Sequence, residues 1–545
     1  MPSERNSSDS PSDRCGYTVS YLEREFWAGS VCCWRETWSD SEHCFWHAQS
    51  ENKTADKIPA DSDDRLERLD GAYLPKISIE EFPLTKDTTL NSVNLQGIQA
   101  PHSDLSSWIL NGANLFEADL HNSNLCRAEL RDANLSNANF EGADLSFAHL
   151  RQAQVVNTNL IGVNATVCSA PETKFIECEL ENTDFTNAYI DNAIFRGSGI
   201  KGTVFKSSKM RECDFQSASV RECNFSNSNL SNSNFCGCNL SETDFSHANL
   251  SSVDFGNCDA TDAIFVDIKG LNSDFQDASV PYSDFSDAYL SHAKFENTTA
   301  ISADFSDAMA SHADFSYSSL DEATFRNSQL RDSNFRDATL TQADLENADL
   351  RGGSLDGASL VGALLNDVLL DEESELGEVN EDSAKEAVNV YRKFIRLLKE
   401  NSLDYSIPAY RIKEREMKKK ELYGNSQYLS GFTYTLLGLT SSYGESPKRV
   451  LISSAVTISV FAIIFSVLEE VGGLGIQMLD TYLPYRFTEA IEIILGGLYY
   501  SISSFVGLGP ASQSPFVHFL SVLATLVGTL LIALLIFTLG RVATR

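Results

Sequence analysis

The chain has 545 residues, a formal net charge of −34 at pH 7, and 42% hydrophobic against 22% charged residues. That length exceeds one ordinary domain, and the acidity excludes a dominant nucleic-acid surface, which needs clustered Lys and Arg to meet phosphates. Twelve cysteines are present, but their positions matter more than their number.

Residues 1–13 are polar and lack the apolar run of a secretory signal, so the chain is expected to start in the cytoplasm. Cys15, Cys32, Cys33, Cys44 and His47 follow within 33 residues rich in Trp and Tyr, and Cys44-Phe-Trp-His47 has ligand spacing on a tight turn. Three thiolates, from Cys15, one of the adjacent pair Cys32 and Cys33, and Cys44, would join the His47 imidazole in a tetrahedral set that suits zinc. Four protein ligands leave no open position for catalysis, so the metal would be structural, stapling residues 1–48, a segment too small to fold on its own core. The alternative is a group of reduced, buried cysteines beside an unrelated histidine. Residues 49–90 are polar with scattered apolar positions such as Leu74, Ile77 and Phe82, and read as a linker and cap.

Residues 91–365 carry an internal repeat, the feature to seek first in any chain. Of the 55 positions from 95 to 365 that are multiples of five, 24 are Leu, 18 are Phe and 13 are Ala, Val, Ile, Met or Gly. The residue two places earlier is usually small, as in Ala113, Ala118 and Ser123, and the residue between is often Asp or Asn. From Phe175 to Phe335 every position ending in five is Phe, so a ten-residue period lies over the five-residue one. Neither a helix nor a strand sustains such periods. A coil of four five-residue sides would, with Phe on two opposite walls stacking into two ladders. Cys168, Cys178, Cys213, Cys223, Cys238 and Cys258 all take the small inward position and read as core filler. Pro171, Pro281 and Gly270 interrupt the motif without shifting it and are expected at corners or bulges. The segment contains 16 Lys and Arg against 38 Asp and Glu, a net charge of −22. These carboxylates recur with the repeat, and none forms an acid–base pair or a nucleophile set, so an enzyme is the least expected class.

The unit Ala-Asp/Asn-Leu/Phe-x-x resembles the pentapeptide-repeat family. The resemblance implies a right-handed, four-sided β-helix, here of about 14 coils and roughly 65 Å at the usual strand spacing of ~4.8 Å. Its acidic surface is similar to that of family members that mimic DNA, but those are soluble, and no nucleic-acid partner is expected here.

Residues 366–448 begin with an acidic run and continue into helical segments. Ser383-x-x-Glu386 is a capping box, and Ala387, Tyr391, Phe394 and Leu398 mark one apolar face. Pro408 is expected to break this helix. Basic residues from Arg411 to Lys420 could touch anionic headgroups.

Residues 449–545 contain two apolar runs, 450–468 and 516–539, each long enough to span ~30 Å of hydrocarbon. Lys448 and Arg449 precede the first and Arg541 and Arg545 follow the second, which places both termini in the cytoplasm of a multi-pass cell-membrane protein. Between them, 491–509 is a borderline apolar stretch with four glycines, better suited to a re-entrant half-helix than to a third span. Its end, Tyr499-Tyr-Ser-Ile-Ser-Ser504-Phe505-Val506-Gly507-Leu508-Gly509, resembles the pore helix and Thr-Val-Gly-Tyr-Gly filter of two-span potassium channels. That resemblance implies a homotetramer, a filter from Ser504 to Gly509 passing a monovalent cation, potassium or sodium, and a gating bend at Gly528. Phe505, Leu508 and Pro510 depart from the family's Thr, aromatic and Asp.

Together with Tyr443-Gly-Glu-x-Pro447 before the first span, the whole resembles prokaryotic proteins of salt-adapted archaea in which a pentapeptide β-helix is joined to such a pore. In similar proteins a Cys-x-Arg pattern points to Cys33 as the zinc ligand. The expected function is therefore a cation channel in membrane lipid whose β-helix docks a protein partner. The alternative is a non-conducting membrane-anchored scaffold with a decayed pore.

Overall fold

The computed structural model describes residues 18–20, 30–32, 44, 46–49, 69–74, 76–77, 89–371, 384–400, 403, 406–467, 495, 497–499, 501–507 and 515–543. The chain divides into two compact units, Met1–Glu378 and Val379–Arg545.

The first unit opens with β1 (Thr18–Ser20) paired antiparallel to β2 (Ser30–Cys32). The repeats then form a four-sided coil. Parallel bridges join residues 20 apart, in unbroken series such as Asn94, Asn114 and Asn134, and two neighbouring rungs lengthen into β3 (Gln154–Val156) and β4 (Lys174–Ile176). Four five-residue sides account for that spacing. Most sides end in a turn closed by a backbone bond such as Ile98 N–H to the Leu95 carbonyl, 3.0 Å. The second turn residue is left-handed, as at Asn122 (φ 53°) and Asp132 (φ 57°), a conformation that Asn, Asp and Gly tolerate best. The stack imposes it even on β-branched Val167 (φ 58°).

Inside, the Phe residues form the two expected ladders. Phe195 stacks on Phe215 at 4.7 Å, nearly parallel, and meets Phe205 of the other ladder edge to face at 5.8 Å. Both are preferred aromatic geometries. Ser and Thr at the small inward position are not idle. Thr183 and Thr203 donate at 2.6 Å to the carbonyls of Leu160 and Leu180 in the preceding coil, which offsets the cost of burying those two hydroxyls. The Asp and Asn beside them accept a turn N–H two residues on, as Asp184 does from Thr186 at 2.8 Å, and Asn side chains bond from coil to coil, Asn134 to Asn114 at 3.1 Å. The recurring carboxylates thus have a structural use.

Pro171 and Pro281 occupy turns, as expected. Gly270 does not: it sits at the buried centre of a side whose ladder continues through its N–H to the Tyr289 carbonyl. Leu290 and Ile268 fill the space its side chain would take. The β-helix also reaches beyond 91–365 at both ends. Leu69, Gly71, Leu74 and Lys76 already bond to the next coil, and the ladder closes at Asp349 and Leu369. Tyr73 bridges Asn94, a separation of 21 rather than 20, and that one-residue offset hides Leu69 and Leu74 from the period.

The second unit contains α1 (Ala384–Glu400), α2 (Ile407–Gly424), α3 (Tyr428–Ser441), α4 (Pro447–Val467) and α5 (Pro515–Ala543). Ala387, Tyr391, Phe394 and Leu398 are all buried, and Phe394 packs edge to face on Tyr410 of α2 at 5.9 Å. Ser383, the cap residue, lies outside the described residues. Pro408 stands in the first turn of α2, where its missing N–H costs nothing, so it opens a helix instead of only ending one. The 14-residue α3 exposes Leu429, Phe432, Leu436 and Leu439. It is too short to span a membrane. Windows in α4 and α5, 447–466 and 517–540, are long and apolar enough to cross one, and only 17% and 22% of them are buried.

Candidate functional site

Small residues bring a short helical segment, 497–499 and 501–505, between α4 and α5. A Cβ at Gly497 would lie 2.5 Å from the Ala462 carbonyl and overlap Ser466, so only glycine permits that contact with α4. Ser501 donates to the Ile458 carbonyl of α4 at 2.7 Å. On the other side Ser504 and Ser521 share a hydroxyl bond of 2.9 Å, and Thr525 of α5 donates at 2.6 Å to the Ser504 carbonyl. Hydroxyls that satisfy one another in this way join apolar helices where water is scarce.

Gly528 faces the same segment. A Cβ there would overlap the Phe505 carbonyl, which places Gly528 at a close crossing inside the uninterrupted helix α5. Ser504 and Phe505 form the last helical turn: Val506 N–H reaches the Ile502 carbonyl at 3.1 Å and Gly507 N–H the Ser504 carbonyl at 3.0 Å. Phe505 is buried with Val450 of α4 and Leu531 of α5. Val506 is exposed, and Gly507 takes φ 80°, open to glycine and strained for other residues. Leu508 and Gly509 lie outside the described residues. The sequence reading missed Gly497, Ser501, Ser521 and Thr525, although small and hydroxylic residues in apolar runs are the signal for such contacts.

The candidate metal ligands fall at the start of the β-helix. The Cys44 thiol donates to His47 Nδ1 at 3.2 Å, and His47 Nε2–H donates to the Asp70 carbonyl at 3.0 Å. Because a carbonyl only accepts, the proton is on Nε2 and the Nδ1 lone pair faces Cys44, the orientation that a carbonyl partner gives a metal-binding histidine. Asp70 in turn accepts Asn91 N–H at 2.9 Å, tying the turn to the first coils. Cys15 and Cys33 lie outside the described residues, and among those described no three metal-binding side chains cluster.

Two repeat profiles match the chain: "pentapeptide repeat region" over 168–245 and 250–325, and "pentapeptide repeats (8 copies)" over five stretches from 102–132 to 328–367. Among solved structures, HetL, a pentapeptide repeat protein involved in heterocyst differentiation regulation from the cyanobacterium Nostoc sp., is 22% identical over 48% of this chain and 90% of its own, with a TM-score of 0.21. Full-length QnrB1, a plasmid-mediated fluoroquinolone resistance protein, is 24% identical over 34% of this chain and 86% of its own, with a TM-score of 0.16. Rfr23, a pentapeptide repeat protein from the cyanobacterium Cyanothece, is 26% identical over 18% and 63%, with a TM-score of 0.16. No match was found among curated proteins. An inward Leu or Phe at every fifth residue, a twenty-residue coil and both repeat profiles agree: the chain is a pentapeptide-repeat protein, and it also carries two helices long and apolar enough to cross a membrane.

Proposed function

We propose that this chain is a multi-pass membrane protein that assembles as a homotetramer around a cation pore, with α4 and α5 as its spans and the segment ending at Gly507 re-entering between them. The observation that carries the reading is the seating of that segment, a short helix locked to both apolar helices through Gly497, Gly528 and buried hydroxyls. Irregular backbone at membrane depth needs such protein walls. Potassium or sodium would pass a filter contributed by residues 504–509 of four chains, and the β-helix would serve as a cytoplasmic arm that docks a protein partner.

A specific observation favours a second reading, the non-conducting scaffold. The Ser504 carbonyl is engaged by Thr525 and the Phe505 carbonyl is packed on Gly528, so two oxygens of the expected filter turn toward their own chain. Crosslinking of detergent-purified protein, read with ion flux, separates the two. A tetramer that conducts supports the channel, and a stable monomer without flux supports the scaffold.

The N-terminal segment would hold a structural zinc through Cys15, Cys33, Cys44 and His47, since the Cys44 and His47 donor atoms already converge. One zinc per chain by elemental analysis, lost in Cys44→Ser, is the expected result. Full-length protein without zinc would contradict it.

A further inference from the structure

The helical unit contains a polar cavity of about 190 Å³ walled by α1, α2 and the turn before α4. Four of its side chains are basic, Arg392, Lys399, Arg411 and Arg415, and two are acidic, Glu414 and Glu445, so the lining carries two surplus positive charges. The carboxylates are deep, with side chains 9% and 2% exposed. Glu414 meets Arg392 at 2.9 Å and Arg415 at 3.5 Å, and Glu445 meets Arg411 at 3.7 Å. Buried carboxylates therefore fix three guanidinium groups around one space. Each guanidinium has five N–H donors, and one carboxylate contact leaves others for a second anion. Planar forks of this kind recognise phosphoryl oxygens in pairs.

A second cavity, about 240 Å³, shares Arg415 and Tyr443 with the first. Its remaining walls include Leu437 of α3 and Leu534 and Phe537 of α5. A cationic space and a largely apolar space thus meet across common side chains, and the apolar one is bounded by a helix long enough to span a membrane. The polar cavity is smaller than the ~300 Å³ of an ordinary drug-sized site, a volume for a headgroup and not for a nucleotide.

We infer that the two cavities form one site for an anionic amphiphile, a phosphorylated lipid whose phosphoryl group lies among Arg392, Lys399, Arg411 and Arg415 and whose acyl chain lies against Leu437, Leu534 and Phe537. The site is independent of whether the chain conducts. The adjoining apolar cavity favours a lipid over free phosphate as the source of the phosphoryl group.

The test uses the full-length protein in dodecyl maltoside and four soluble probes: dioctanoyl phosphatidic acid, dioctanoylglycerol, glycerol 3-phosphate and inorganic phosphate. Saturable binding of the phosphatidic acid is expected, at least tenfold tighter than that of any other probe. Lys399→Gln, which leaves the three ion pairs in place, should weaken it several-fold, and Arg411→Gln with Arg415→Gln at least tenfold. Leu437→Ser should weaken the lipid but not glycerol 3-phosphate. Equal affinity in wild type and Lys399→Gln would overturn the site. Inorganic phosphate binding as tightly as the lipid would overturn the amphiphile and assign the cavity to a soluble anion.

Discussion

Six inward cysteines act in the coil as small filler, and four of them, Cys178, Cys213, Cys223 and Cys238, also donate a hydrogen bond to a carbonyl of the preceding coil. Cys178 and Cys238 donate their S–H to the carbonyls of Val155 and Phe215 at 3.0 and 2.9 Å, and burial pushes the thiols of Cys168, Cys178, Cys223 and Cys238 up from 9.0 to about 12. Iodoacetamide at pH 8 should therefore modify Cys126 and Cys236, which are only partly buried, well before these four, because the thiolate is the nucleophile. In the unfolded chain a thiol ionises near pH 8.5. Above that pH the unfolded chain releases protons that the fold retains. Stability then falls as pH rises from about 8.5 toward 12 and is unaffected below, by an order of 1–2 kcal/mol per thiol at pH 10. A melt at pH 7 and pH 10 should show a smaller drop in Cys178→Ala/Cys238→Ala than in wild type. Glycines in α5 give a matched pair. Gly528→Ala forces a Cβ into the Phe505 backbone, whereas a Cβ at Gly540 meets nothing within 4 Å. The first should cost about 1–3 kcal/mol through overpacking. The second should be neutral or stabilising by up to ~1 kcal/mol, as read by melting in detergent.

Among the elements, the Phe ladders were legible in the sequence because the period and the coil are commensurate: ten residues is half of twenty, so every position ending in five from Phe175 to Phe335 falls on one of two walls. Phe255 lies between Phe235 at 5.4 Å and Phe275 at 4.6 Å. Phe255→Ala should cost about 3–5 kcal/mol, and since a solenoid coil touches only its neighbours, amide exchange should quicken near 235–275 and not near 95–135. Leu69 and Leu74 escaped the same reading because one extra residue before Thr89 shifts their phase. Gly270 was expected at an irregular point because its composition breaks the motif, yet backbone pairing carries the coil across it and Leu290 supplies the missing volume. The apolar α3 was hidden because Tyr428–Ser441 has neither a side-chain N-cap nor a one-sided pattern. In the candidate pore, Tyr499 to Gly509 was recognisable by its glycines. The carbonyl directions at Ser504 and Phe505 depend on Thr525 and Gly528 twenty-odd residues away, which no local pattern reports.

At the scale of the molecule, an acidic β-helix occupies one compact unit and two apolar helices with a short helix between them belong to the other. We propose that these helices and residues 504–509 line an ion path, in which Gly507 takes a positive φ that glycine adopts without strain and other residues do not. The most direct test is ion flux from the full-length protein reconstituted into liposomes, under potassium and sodium gradients at high salt, with Gly507→Asp beside wild type. Flux is expected in wild type and should fall at least tenfold in Gly507→Asp while the variant remains tetrameric. Equal flux in the two proteins, or none from a wild-type protein shown to be monomeric, would contradict the proposed ion path.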